Sequence, residues 1–74
     1  MKNFEAVFES EKRFALACIK SESFEEANIS FCELVYGISR LEDFRIVEIK
    51  ESVNEGYFPS IPKIIRVREK SSSP

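Results

Sequence analysis

Seventy-four residues, 43% of them apolar, make one small globular domain and exclude full disorder. A core drawn from so short a chain supports a stability of only a few kcal/mol. Net charge is −2 and His is absent, which removes the usual general base near neutral pH and the commonest metal ligand.

Phe4, Ala6 and Phe8 alternate with Glu5, Val7 and Glu9, a period of two that predicts a strand. Ser10-Glu11-Lys12 reads as a short hairpin loop. Phe14, Leu16 and Cys18 then alternate with Ala15, Ala17 and Ile19, a second strand whose faces are both rather apolar. Ser23 and Glu26 form the S-x-x-E pattern of a helix start. From there Phe24, Ala27, Phe31, Leu34 and Ile38 recur at spacings of three and four, with Val35 beside them. At about 3.6 residues per turn they form one stripe that should lie on the sheet. Gly37 is placed to cap the helix C-terminus.

Phe44, Ile46, Val47 and Ile49 define a third strand over 44–50. Asn54-Glu55-Gly56 and Pro59-Ser60-Ile61-Pro62 are loop signals. Ile64, Ile65 and Val67 alternate imperfectly with Arg66 and Arg68, a short fourth strand expected on an edge. The fold class is therefore α+β: a small antiparallel sheet of three or four strands with one helix across one face, in the order β-β-α-β plus a C-terminal strand. Residues 1–70 form the domain, and 71–74 are expected to be a disordered tail.

Residues 1–62 hold seven Lys/Arg against twelve Asp/Glu, a net −5. Residues 63–74 hold Lys63, Arg66, Arg68 and Lys70 against Glu69, a net +3. An acidic body opposes sequence-independent nucleic-acid binding, where cations must neutralise phosphates. It suits a protein partner with a basic groove, or simply a solvated surface. Cys18 and Cys32 both lie in apolar contexts and are expected to be buried free thiols in a reducing cytosol rather than a disulfide. Two cysteines without His make no zinc site, and nothing calls for a cofactor. No apolar run approaches the roughly 18 residues of a membrane span and no signal peptide is read, so a cytoplasmic location is expected.

The helix is apolar on a second side. Ile29, Cys32 and Tyr36 recur at three- and four-residue spacings, roughly opposite Phe31. Glu25, Glu26 and Glu33 fringe them, and residues 22–36 hold four Glu and no Lys or Arg. A helix that covers an open sheet should be polar on its outer side. An apolar patch there marks a contact with a second copy or another protein. The ordinary alternative is that the C-terminal segment folds back over it. Glu33 and Tyr36 are three apart and so are neighbours on that surface. A Tyr ring beside a carboxylate is common hot-spot chemistry.

Glu33-Leu34-Val35-Tyr36-Gly37 resembles the Glu-x-x-Tyr-Gly at the helix end of the small, dimeric, phage-encoded uracil-DNA glycosylase inhibitors. Arg45-Ile46-Val47-Glu48-Ile49-Lys50 resembles that family's charged, aliphatic third strand, and the likeness in pattern spans residues 2–51. The resemblance implies a homodimer whose helices build an apolar pocket for the residue that the glycosylase drives into the DNA stack. It implies that acidic side chains around the pocket imitate phosphates. Glu33 would hydrogen-bond the base of the intercalation loop, and Tyr36 would wall the pocket. Here Cys32 stands where the family has an aromatic residue before the Glu, and residues 52–74 have no counterpart.

Three other functions compete. A different phage host-takeover or anti-CRISPR-type inhibitor would share the interaction logic but not the target. A nucleic-acid module would use Lys63, Arg66, Arg68 and Lys70, with Tyr57 and Phe58 for stacking. An enzyme is disfavoured: Glu33, Glu48 and Glu51 supply carboxylates, but nothing pairs them with a nucleophile or a metal.

Overall fold

In the computed structural model, which describes residues 1–54 and 56–70, the chain runs β1 (Lys2–Glu9), β2 (Arg13–Ser21), α1 (Phe24–Ile38), β3 (Arg45–Glu51) and β4 (Lys63–Glu69). Glu55 of the expected loop and the expected tail at 71–74 lie outside the described residues. The strands form one antiparallel sheet in the order β3-β1-β2-β4, with the helix across one face. The β1–β2 hairpin is central because its turn is local, and β3 and β4 add to its two sides.

Alternation in the hairpin sets the two faces. Phe4, Ala6 and Phe8 of β1 and Ala15, Ala17 and Ile19 of β2 turn to the helix and are buried. Ala27 and Phe31 of the helix close on them, and Leu34, Val35, Phe44, Ile46, Ile49 and Ile64 pack around the edge. The small Ala6, Ala15 and Ala17 leave room for the Phe rings, and Phe8 meets Phe31 edge-on at 6.1 Å between centroids.

The imperfect alternation of the last two strands has a structural cause. The register with β1 passes from Val7↔Glu48 to Phe8↔Ile46, so Val47 is an extra residue in β3. Ile46 and Ile49, three apart, thereby both reach the core side. In β4 the register passes from Leu16↔Arg66 to Ala17↔Ile64, which makes Ile65 the extra residue. Both bulges sit on edge strands, where they interrupt a regular pairing surface.

Ser23 caps the helix, its Oγ accepting from the Glu26 amide at 3.3 Å. The C-cap is Ser39 rather than Gly37. Gly37 is helical, and the Ser39 hydroxyl donates to the Tyr36 carbonyl at 2.8 Å. A Ser side chain thus satisfies an end carbonyl without the left-handed residue that a Gly cap supplies.

Ser10 ties the hairpin to the helix–β3 loop. Its Oγ accepts from the amides of Lys12 and Arg13 and donates to the Glu42 carboxylate. Arg13 Nε lies 3.4 Å from both Glu42 and Glu69. On the sheet face away from the helix, Glu9 binds Lys70 at 2.6 Å and Arg45 at 3.1 Å. The hydrogen bond from Lys70 and the charges of both cations hold the Glu9 carboxyl below its usual range, against some desolvation.

β3 and β4, consecutive in the chain, lie at opposite edges of the sheet. Asn3 donates to the Asn54 carbonyl at 3.1 Å, and the Lys20 amide donates to the Pro59 carbonyl at 2.7 Å. Phe58 is buried, so it is not available for stacking on a ligand. No helix among the described residues is long and apolar enough to cross a membrane.

Candidate functional site

The face of α1 turned away from the sheet carries the site residues. Helical spacing places Asn28, Ile29, Cys32, Glu33 and Tyr36 around one shallow, open depression. Periodicity singles out Ile29, Cys32 and Tyr36, and Glu33 is the carboxylate expected beside Tyr36. Asn28 is the addition, and its Oδ1 lies 3.8 Å from the Cys32 thiol. Tyr36 is 83% exposed and Ile29 60% exposed, large apolar surfaces for one side of a single helix.

Among the described residues, the alternative cover for this surface is absent. The C-terminal segment pairs with β2 as strand β4 at the sheet edge, while the helix packs on β1, β2 and β3. Cys32 is exposed, which corrects the expectation of two buried thiols. The stripe through Ala27 and Phe31 uses the sheet-facing side, so a residue next to Phe31 in sequence is turned about 100° away from it. Cys18 is buried, and both thiols are free.

Glu25 and Glu26 occupy the first helical turn, where carboxylates interact favourably with the helix dipole. They are exposed but do not line the Tyr36 depression. Glu26 instead borders a second shallow groove with Met1, Ile19, Lys20, Ile29 and Ser60. Ile29 belongs to both, so the apolar surface is continuous along the helix while its carboxylates stand at two places. Among the described residues, Glu25, Glu26 and Glu33 have no Lys or Arg within ion-pair distance. The surface therefore presents carboxylates without ion-pair partners among the described residues around an apolar strip, with Lys20 at the border of the groove beside Glu26.

No family model, curated protein or solved structure matches the chain.

The chemistry open to this site is recognition. Tyr36 offers a ring and a phenol hydroxyl, Glu33 a carboxylate one turn away, and Ile29 and Cys32 a floor. Among the described residues, no three His, Cys, Asp or Glu side chains gather as a metal site.

Proposed function

We propose that the chain is a protein inhibitor of uracil-DNA glycosylase that acts as a DNA mimic. The reading rests on the resemblance of Glu33–Gly37 to the Glu-x-x-Tyr-Gly of the dimeric phage inhibitors. The observation that carries it is the free outer face of α1, with Tyr36 83% exposed beside Glu33 and Ile29. A base-flipping enzyme has a basic DNA groove and an apolar residue that enters the base stack. An apolar strip edged by carboxylates complements both. Glu33 accepts hydrogen bonds from the enzyme's loop, Tyr36 and Ile29 hold the intercalating side chain, and Glu25 and Glu26 face the basic groove. Two copies pair so that their helices build the socket together. The protein acts by occupancy rather than catalysis, in the host cytoplasm.

The test is uracil excision from a labelled duplex by a glycosylase titrated with the chain. Inhibition at stoichiometric concentration is expected. Glu33→Ala and Tyr36→Ala should each weaken it by about 2 kcal/mol, roughly 30-fold, the hot-spot scale. Full potency in both variants would remove the site, and no inhibition by the unaltered chain would remove the function. In the second case the same helix face belongs to an inhibitor of another host protein.

A further inference from the structure

The sheet face away from the helix sorts its side chains by column. Register places Lys63, Arg66 and Arg68 of β4 beside Cys18, Leu16 and Phe14 of β2. Across the hairpin, Glu5, Val7 and Glu9 of β1 face the same way, followed by Lys50, Glu48 and Arg45 of β3. Lys20 continues the cationic side one row beyond Cys18, opposite Asn3. Arg66 and Arg68 flank a shallow groove floored by Val7, Phe14 and Leu16.

The cations of this column are unspent. Among the described residues, the ion pairs engage Lys2, Arg13, Arg45 and Lys70, and none engages Lys20, Lys63, Arg66 or Arg68. Two acidic residues stand on the neighbouring β1 column: Glu9 is already held by Arg45 and Lys70, and Glu5, in the row of Lys63 across Cys18, is not within ion-pair distance of it. Lys70 also stands over the Phe14 ring, 5.1 Å from its centroid, adding a positive charge at that end. Edge cations commonly serve only to prevent strand pairing. That role needs no apolar floor and no alignment on one face.

We propose that the β2–β4 half of this face binds single-stranded nucleic acid. Residues two apart on a strand stand about 6.7 Å apart, close to the step between phosphates in an extended single strand. Arg66 and Arg68 have the fork geometry for phosphate oxygens, and their guanidinium planes offer surfaces on which bases stack, while Phe14, with Lys70 over its ring, contributes to the apolar floor. Glu5 on β1 and Glu48 on β3 repel a polyanion and keep it on the β4 side. The site lies on the opposite face of the molecule from the helix surface, so it stands whether or not that surface binds a glycosylase.

The experiment is fluorescence anisotropy of a labelled oligo-dT strand titrated with the full chain at low and moderate salt. Saturable binding is expected, with a log–log salt slope of about −2 for three neutralised phosphates. Arg66→Glu with Arg68→Glu should weaken binding at least about tenfold, and the milder Arg66→Gln with Arg68→Gln should weaken it in the same direction. Arg40→Glu with Lys50→Glu makes the same change in net charge away from the column and should leave binding within about twofold of the parent. Equal losses from both charge-reversed pairs would reduce the effect to net charge and overturn the proposal. Absence of binding at low salt would do the same. Displacement of the strand by poly-glutamate at lower charge concentration than by unlabelled oligo-dT would overturn it in favour of an acidic protein segment.

Discussion

Cys18 and Cys32 are the same chemical group in two environments, and their reactivity should separate accordingly. Cys18 is 4% exposed, and burial raises its thiol above the ordinary value, with the charge of Glu5 adding to the effect and Lys63 opposing it. The thiolate is the nucleophile, so Cys18 is both hidden and held protonated. Cys32 is exposed on the helix. Iodoacetamide at pH 8 should therefore add once to the native chain, at Cys32, and reach Cys18 only after unfolding in urea. Peptide mass mapping reads this directly; equal labelling of both cysteines in the native chain would contradict the burial of Cys18. Alkylated Cys32 would also carry a bulky group into the Tyr36 depression, a chemical probe of that face without mutation.

At the scale of elements, the helix end offers the sharpest stability test. Gly37 lies within α1, and a Cβ built there meets nothing within 4 Å. A helical Gly costs roughly 0.5–1 kcal/mol relative to Ala, so Gly37→Ala should stabilise the chain by about that amount in urea denaturation. Destabilisation would mean that Gly37 needs a conformation Ala resists. The strands and the helix start were legible because alternation and the Ser23–Glu26 pattern are local signals. The C-cap was not, because a Ser hydroxyl two residues beyond Gly37 can satisfy the same carbonyl and sequence does not choose between them. The bulges at Val47 and Ile65 were visible only as faulty alternation. The strand order and the burial of Phe58 come from contacts distant in sequence, which no window of residues contains. For the site, Ile29, Cys32 and Tyr36 were legible as a second apolar stripe and Glu33 as a carboxylate beside it; their exposure was not, since it depends on where β4 pairs. The cations of the β4 column were legible as a basic segment, but their alignment on one face was not, as the bulge at Ile65 and the pairing with β2 decide which way Lys63, Arg66 and Arg68 face.

Taken as a whole molecule, the chain divides its labour between one covered and one open sheet face, and only the covered one supplies a substantial core. Among the described residues ten hydrophobic ones are buried, and eight of them form the cluster beneath the helix, which leaves Cys18 and Phe58 outside it. Such a layer has little redundancy. Phe31 is fully buried at its centre and anchors the helix through Phe8. Phe31→Ala should cost about 3–5 kcal/mol, the usual range for a large aromatic replaced in a core. A domain of this length with so small a core has a total stability of only a few kcal/mol. The variant should therefore be partly unfolded at room temperature, with a lowered urea midpoint and reduced helical circular dichroism. Tyr36→Ala, on the exposed side of the same helix, should leave both within error, because its ring is already in water. The contrast between these two aromatics, five residues apart, tests the division of α1 into a side that holds the fold and a side left free for a partner. If Tyr36→Ala lowers the midpoint as Phe31→Ala does, the outer face is part of the folding unit and cannot be spared for recognition.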